Sequence, residues 1–305
     1  MSLLRAPFPY FGKKTNIALE VWQRLRGCDQ YIEPFFGSGA VLFASPTQHK
    51  SEIVNDLDGM LVNVWRSLQL SPEKVAEVVW FPKSELEVAM RHQYILERRP
   101  SVVKMLQTGL ESHDPVLAGH WIYEACSTIG DVVHREAPQS PCISYTASQG
   151  IFRLGFQEPS DVTAWFQAFQ KRLRRVNIGI GSWERVVAPS ILINAPTTAI
   201  FLDPPYAPDG RVSVYNQDDG SVFFDVVRWG LEQGVKSNLK IAICGYEWDG
   251  DSVFREHGWQ TLEWKTAGGY GNHSPDNRGA MNASRERVWF SPGCAQDASI
   301  LDLFG

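Results

Sequence analysis

The sequence has few cysteines and no cysteine spacing that is typical of a metal site. It has five cysteines in 305 residues, and no two of them form a Cys-x-x-Cys pair. Disulfide-rich scaffolds and zinc ribbons need closely spaced cysteines. The seven histidines also lack a His-Glu-x-x-His spacing. These absences argue against metal chemistry, and they favour a cytoplasmic protein in a reducing compartment.

Long apolar runs and a surplus of basic residues are missing as well. No segment approaches the roughly 18 apolar residues of a membrane span, and residues 1–14 do not resemble a secretion signal, so we expect no membrane partner. The net charge is −5, so any surface for a nucleic acid must be local. The best candidate is the run Lys171, Arg172, Arg174 and Arg175, which a solvated helix face would explain equally well.

Strands and helices alternate at both ends of the chain. Residues 16–26 have helical periodicity, and a strand at 31–35, a glycine turn, a short helix and a second strand follow. From about residue 176 the strands resume, at 176–180, 199–202 and 239–244, with two later ones at 259–264 and 286–291. This order predicts an α/β protein with a mixed, mostly parallel sheet of the Rossmann type.

The middle of the chain has a different character. Helical periodicity dominates at 73–80, 84–99 and 115–126, and a loop rich in Pro, Ser and Gly covers 137–160. We therefore predict an inserted, mostly helical domain at 72–175. Residues 1–71 and 176–305 would form the main domain.

The first glycine turn suggests a cofactor site. Gly37 and Gly39 follow the first strand, where glycine lets a ligand approach the backbone ahead of a helix. Leu42 stands where a dinucleotide fingerprint has its third glycine, which disfavours a nicotinamide oxidoreductase. Asp56 ends the next strand and offers two acceptors to a ribose diol. Together they predict an adenosine-bearing cofactor, whereas the turn alone also fits a tight strand-to-helix connection.

The sequence Asp203-Pro204-Pro205-Tyr206 follows a strongly apolar strand. It fits a stiff turn, because two prolines exclude a helix. Ligands of α/β sheets, however, bind at the carboxyl ends of parallel strands. There the Asp203 carboxylate and the Pro204 carbonyl offer two acceptors, and Tyr206 offers a flat ring. Such a set suits the exocyclic amine of a base, since acceptors on its two hydrogens direct its lone pair toward an electrophile.

Four ordered elements resemble one enzyme family. Asp203–Tyr206 resembles the DPPY motif of amino-methyltransferases that act on bases, and Pro34–Gly39 resembles their PFxGxG cofactor motif. Pro9–Lys14 is similar to the PYxGGK element of the adenine-specific DNA methyltransferases, the class that includes the orphan adenine methylase of enteric bacteria, and Asn55–Asp58 is similar to their NDxN element. The order is that of the alpha arrangement, in which the long insert is the target-recognition domain.

The resemblance implies roles for individual residues. The implied contacts with S-adenosylmethionine are Tyr10, Lys14, Glu33, Phe35, Gly37, Gly39, Asp56, Ser182, Trp183 and Asp203. Within this set, Lys14 would lie near the cofactor's carboxylate and Asp56 would hold its ribose. The implied catalytic residues are Asp203, Pro204, Pro205 and Tyr206, with Tyr206 stacking on an extruded base. Two residues depart from the pattern: Lys13 replaces a glycine, and Ser182 replaces an aspartate of the element that lines the cofactor's adenine.

We therefore expect methyl transfer from S-adenosylmethionine to the 6-amino group of a flipped adenine in double-stranded DNA, without a metal. The basic run at 171–175 would contact phosphates. Short matches at 243–246, 118–121 and 127–130 are similar to phage and prophage members. A cognate restriction endonuclease is a further candidate partner.

Other functions stay open at this point. Cytosine 4-amino methyltransferases share the chemistry but more often have Ser in place of Asp203, and protein-glutamine enzymes have Asn-Pro-Pro-Tyr. An RNA adenine methyltransferase is less firmly excluded. A DNA-binding module of the same fold without activity would not need the intact Lys14, Asp56 and DPPY set.

Overall fold

The structure is a computed structural model that describes residues 4–10, 14–128, 143, 150–153, 156–206, 220–248, 251–263 and 285–295. Its strands are β1 (Gln30–Glu33), β2 (Ser51–Asp56), β3 (Val176–Ile180), β4 (Thr198–Leu202), β5 (Leu239–Tyr246), β6 (Gln260–Glu263) and β7 (Glu286–Phe290). Within these residues they form one seven-stranded sheet in the order β3-β2-β1-β4-β5-β7-β6. The predicted strands are confirmed with shifts of one or two residues at their ends.

The strand order creates one switch point. Strand β1 pairs in parallel with β2 on one side and with β4 on the other, and β4 pairs in parallel with β5. Strand β7 lies antiparallel between β5 and β6. The chain first places β2 and β3 on one side of β1, and it then places β4 and β5 on the other side. The carboxyl ends of β1 and β4 therefore flank the crevice in which such sheets bind ligands. This is the Rossmann-like α/β sheet that the sequence predicts.

The central strands are apolar because they are covered on both faces. Every residue of β4 is buried, and so are most residues of β5. Side chains that alternate along these strands, such as Ile200, Leu202, Ile241 and Ile243, belong to one core cluster that also includes Trp289. Continuous apolar strands of this kind are typical of parallel sheets.

Ten α-helices lie in the described part of the chain. They are α1 (Ala18–Leu25), α2 (Ala40–Phe43), α3 (Gly59–Leu70), α4 (Pro72–Val79), α5 (Glu85–Leu106), α6 (Pro115–Ser127), α7 (Pro159–Leu173), α8 (Pro189–Leu192), α9 (Gly220–Gln233) and α10 (Ser252–Glu256). Short 3₁₀ segments cover Lys14–Asn16, Gly150–Arg153 and Trp183–Val186. In the ranges given above, none of the helices has both the length and the apolar character of a membrane span.

The chain divides into two compact units. The first combines Met1–Tyr10 with Asn55–Ser182, and it contains α3 to α7 and β3. The second combines Phe11–Val54 with Trp183–Gly305, and it contains β1 and β4 to β7. The functional division at residues 72 and 175 stays a prediction. The predicted loop at 137–160 falls largely outside the described residues.

One helix of the first unit is longer than the sequence predicts. The prediction ends it at residue 99, before Pro100, but α5 continues through Pro100 to Leu106. Ile95, Val102 and Leu106 are buried and share one face of the helix. Their burial outweighs the cost of about 3 kcal/mol that a proline imposes inside a helix.

A buried arginine holds the end of α5 in place. Arg66 is 2% exposed, and its Nη1 donates to the carbonyls of Leu106 and Gly109 at 2.9 Å each. Its Nη2 donates to the carbonyl of Ile178 in β3, also at 2.9 Å. A guanidinium presents five donors in a fixed plane, so one side chain satisfies carbonyls in the last residue of α5, just after that helix and within β3.

Candidate active site

The glycines after β1 are required by the turn itself. Gly37 and Gly39 have φ values of 49° and 65°, in the left-handed region that glycine tolerates best. A Cβ at Gly39 would lie 2.6 Å from Cε2 of Phe43 and 2.7 Å from Cζ of Phe36. Backbone conformation and crowding therefore explain Gly39 without a ligand. Its predicted contact with the cofactor stays a prediction.

A buried lysine meets the DPPY turn at the end of β4. Lys14 is 4% exposed, and its Nζ lies 3.0 Å from Oδ2 of Asp203. The same Nζ donates to the hydroxyl of Tyr206 at 2.8 Å, and that hydroxyl donates to Oδ1 of Asp203 at 3.0 Å. The three groups form a closed triad that spans 192 positions of sequence between its ends. The structure thus brings together three of the residues that the DPPY and PYxGGK motifs single out.

The triad fixes the carboxylate that the sequence singles out. Pro204 is buried and Pro205 is half-buried, so the turn has little freedom to move Asp203. Removing one partner of a buried ion pair leaves an uncompensated charge, which typically costs about 3–5 kcal/mol. Asp203 is therefore held in position by covalent stiffness on one side and by Lys14 on the other.

Aromatic and acidic side chains of neighbouring strands complete this end of the sheet. The ring of Tyr246, at the end of β5, packs edge-on against Tyr206 with centroids 4.5 Å apart. Burial raises the pKa of Tyr246, and the charge of Glu286 raises it further. Glu286 begins β7 directly opposite Tyr246. The buried thiol of Cys244 has a pKa well above its usual range because of burial and then because of Asp203.

A second buried carboxylate lies at the end of β1. Glu33 is 2% exposed and accepts a hydrogen bond of 2.8 Å from the hydroxyl of Tyr31. Burial, followed by the Glu33 charge, holds the pKa of Tyr31 well above its usual range, so this hydroxyl keeps its proton and donates it. Glu33 lies at the end of β1, beside the switch point. Its contact with the methionine part of the cofactor stays a prediction.

Two further residues from the cofactor prediction stack on each other. The rings of Phe35 and Trp183 lie 6.2 Å apart with an interplanar angle of 29°. Trp183 also meets Trp229 of α9 edge-on at 5.8 Å, and it is 7% exposed within the core cluster. Core packing explains Trp183 as well as an adenine-binding role does, so that role stays a prediction.

Three predicted cofactor residues belong to the first unit. Asp56 caps the turn after β2, since its Oδ1 accepts from the amide of Asp58 at 3.0 Å. The Asp56 carbonyl accepts from the amide of Gly181 at 3.1 Å, which places the exposed Ser182 close behind the end of β2. Tyr10 is half-buried and packs edge-on against Phe8 at 6.4 Å. Their contacts with a cofactor stay predictions.

The predicted phosphate-binding run lies at the end of α7. Lys171 and Arg172 occupy the last turn of the helix, and Arg174 and Arg175 follow it. Lys171, Arg174 and Arg175 are exposed. Cations near a helix C-terminus also interact favourably with the helix dipole, so this run has a structural reason as well.

Sequence reasoning missed one acidic residue of the site. Glu286 lies between two basic residues, so its immediate neighbours do not mark it as part of an acidic motif. The alternation of the strand is the available signal, because Glu286 lies on the same face of β7 as the buried Val288 and Phe290. Lys13 and residues 207–210 lie outside the described residues. In the described ranges, no group of three or more His, Cys, Asp or Glu is arranged to hold a metal ion.

The fold is consistent with one class of protein. The mostly parallel seven-stranded sheet and its helices fit a Rossmann-like methyltransferase fold. Residues 10–117 match the family of D12 class N6 adenine-specific DNA methyltransferases. The match confirms the predicted resemblance over a segment that contains Lys14, the glycine turn and Asp56. It covers less than half of the chain, and Asp203 lies beyond it. No curated protein matches the chain.

Proposed function

We propose that this protein transfers a methyl group from S-adenosylmethionine to the 6-amino group of an adenine that is flipped out of double-stranded DNA. The observation that carries the proposal is the Asp203 turn at the switch point, anchored by Lys14. The family match at residues 10–117 supports adenine as the base and DNA as the substrate. The rival bases and substrates named above lack a structural observation of their own.

The side chains of the second unit fit the chemistry of the cofactor. S-adenosylmethionine has a carboxylate, an ammonium and a flat adenine, and when bound it supplies an electrophilic methyl group on a sulfonium. The unit offers the cation Lys14, the anion Glu33 and the stacked rings of Phe35 and Trp183. We assign the amino-acid end of the cofactor to Glu33 and the glycine turn. The roles of Tyr10, Asp56 and Ser182 follow from the resemblance alone.

Asp203 and Pro204 would prepare the amine for attack. The lone pair of an exocyclic amine is delocalised into the ring, so the amine is a weak nucleophile. Hydrogen bonds from its two hydrogens to a carboxylate and a carbonyl favour a tetrahedral nitrogen and aim the lone pair. S-adenosylmethionine would supply the methyl group to this nitrogen as its carbon–sulfur bond breaks, and the proton that the amine then gives up would pass to the Asp203 carboxylate and on to solvent. The protein contributes position and electrostatics, without a covalent intermediate.

The Asp203 carboxylate can accept a hydrogen bond from the amine while it remains paired with Lys14 and Tyr206. A carboxylate has about four acceptor positions, and Lys14 and Tyr206 occupy one on each oxygen. The Lys14 charge nonetheless weakens Asp203 as an acceptor. Tyr206 would stack on the flipped base, as aromatic rings commonly do with extruded bases.

DNA contacts are proposed at the exposed end of α7. Phosphate binding needs clustered cations without a particular geometry, and Lys171, Arg174 and Arg175 supply them. The helical segment 72–175 would act as the target-recognition domain. We infer that the protein works in the cytoplasm of a bacterium or of its phage-infected counterpart.

The test is direct. Purified protein and S-adenosylmethionine are incubated with unmethylated duplex DNA, and the nucleosides are then identified by mass spectrometry. N6-methyladenine is the expected product. N4-methylcytosine, or methylation of RNA alone, would instead support one of the rival enzymes. Absence of any product together with absence of cofactor binding would favour the inactive module.

A further inference from the structure

Arg285 lies directly before β7, at the same end of the sheet as the Asp203 turn. Its guanidinium carbon is 5.8 Å from the ring centre of Tyr246, and that ring packs edge-on against Tyr206 at 4.5 Å. A cation within about 6 Å of an aromatic ring is attracted by the ring. Only Tyr246 therefore separates Arg285 from the ring that we assign to the flipped base.

The guanidinium of Arg285 has no carboxylate partner among the described residues. Its Nη2 donates to the carbonyl of Glu247 at 2.8 Å, and the side chain is half-buried. Arg287 differs, because its Nη2 pairs with the carboxylate of Glu247 and lies 4.0 Å from an oxygen of Glu263. Since a guanidinium has five donors, the carbonyl orients Arg285 without neutralising its charge.

A DNA strand that reaches the Asp203 turn needs a cation close to it. The chain has a net charge of −5, and the basic run at the end of α7 belongs to the first unit. In the second unit, the Asp203 carboxylate repels the phosphates of any strand that brings a base to it. An arginine beside the Tyr206–Tyr246 pair offsets this repulsion, and a guanidinium matches the geometry of a phosphate group.

We propose that Arg285 binds a backbone phosphate of the target strand, next to the nucleotide whose adenine stacks on Tyr206. This inference rests on the function proposed above. The Glu247 carbonyl and the Tyr246 ring hold the guanidinium in place, and its other donors bind phosphate oxygens. Such a contact positions the strand and does not depend on base sequence. Arg285 thus takes part in DNA binding and not in the chemical step.

The first test measures binding to any unmethylated duplex at several salt concentrations, by fluorescence anisotropy and without cofactor. We expect Arg285→Gln to reduce the slope of log affinity against log salt by about 0.9, the value for one lost phosphate contact, and Arg285→Lys to keep the slope. Arg255→Gln removes the same charge at an exposed position of α10 and is the matched control. An Arg285→Gln slope equal to those of the wild type and Arg255→Gln would overturn the proposal.

The second test locates the phosphate. The duplex contains the methylation site found in the activity test, and single phosphates of the target strand are replaced by neutral methylphosphonates. We expect a replacement beside the target adenine to weaken wild-type binding about tenfold, as a coupling of ordinary size implies, and not to affect Arg285→Gln. Equal effects in both proteins at every position would contradict the proposal. So would a loss of affinity in Arg285→Gln that depends on one base pair, because it would assign Arg285 to base readout.

Steady-state kinetics separate DNA binding from a structural role. Arg285→Gln should raise the KM for DNA about tenfold with an unchanged kcat and an unchanged KM for S-adenosylmethionine, and Arg285→Lys should recover most of the change. A lower kcat with an unchanged KM for DNA would show that Arg285 acts by holding Tyr246, and would overturn the proposal. If the wild type methylates no DNA, the proposed function fails, whereas the salt test still decides whether Arg285 binds a phosphate.

Discussion

Tyr206 combines two roles in one side chain. Its hydroxyl accepts from Lys14 at 2.8 Å and donates to Asp203 at 3.0 Å, so it completes the triad. Its ring is half-buried and packs against Tyr246 on one side. The hydroxyl thus belongs to the anchor of the carboxylate, and the ring is the part that we assign to the base.

Separate variants distinguish these two roles. Tyr206→Phe keeps the ring and removes two hydrogen bonds, which should lower the stability by about 1–3 kcal/mol and the methylation rate only a few-fold. Tyr206→Ala also removes the stacking surface, and it should lower kcat/KM for DNA by about tenfold or more beyond that. Steady-state methylation and thermal unfolding measure both effects. Equal activities of the two variants would contradict a stacking role for the ring.

At the scale of elements, the packing of α5 against α6 depends on a neutral histidine. Arg91 of α5 lies with Nη1 3.1 Å from Nδ1 of His120 in α6, and its guanidinium also covers the ring of Tyr123. Burial, followed by the Arg91 charge, lowers the pKa of His120 to about 4. A neutral imidazole can accept a hydrogen bond from Arg91, whereas a protonated one would face it as a like charge.

This arrangement predicts a loss of stability in acid. Below about 6.5 the unfolded chain binds a proton at His120, while the folded protein does not until about 4, so stability should fall as the pH drops through this window. His120→Gln stays neutral and can still accept from Arg91. We expect its melting temperature to fall less than that of the wild type between about pH 7 and pH 5. His257→Gln, at an exposed position, is the control, and equal falls in all three proteins would contradict the assignment.

The apolar strands could be predicted from the sequence, whereas features that depend on tertiary contacts could not. Strand β4 and its neighbours were predictable because their apolar runs end at turn residues. The continuation of α5 past Pro100 was not, because the local preference of proline is overridden by the tertiary burial of Val102 and Leu106. The sequence motifs identify Lys14 and Asp203 separately. They do not predict the ion pair between the two, because it joins segments that are far apart in the chain. The position of Glu286 opposite Tyr246 depends on the register of β7 against β5, which no local pattern encodes.

At the scale of the whole molecule, the overall charge is unfavourable for binding DNA. The chain has a net charge of −5, so affinity must come from local clusters such as the one that ends α7. Electrostatic binding of this kind is sequence-independent and depends strongly on salt.

The basic cluster can be tested without reference to catalysis. Arg174→Ala combined with Arg175→Ala should weaken binding to any duplex and reduce the slope of log affinity against log salt by roughly 0.9 for each lost phosphate contact. The affinity for S-adenosylmethionine should not change. Lys236→Ala, an exposed lysine of the second unit, serves as control. An unchanged salt slope in the double variant would place the DNA contacts elsewhere.

The central claim is that Asp203 prepares an adenine amine for methylation. The most direct measurement compares wild type and Asp203→Ala on unmethylated duplex DNA with S-adenosylmethionine, with nucleosides identified by mass spectrometry and cofactor binding measured in parallel. We predict N6-methyladenine from the wild type and a rate at least about 100-fold lower from Asp203→Ala, since a lost transition-state contact commonly costs that much. Methylation that survives in Asp203→Ala, or a different methylated base from the wild type, would contradict the account.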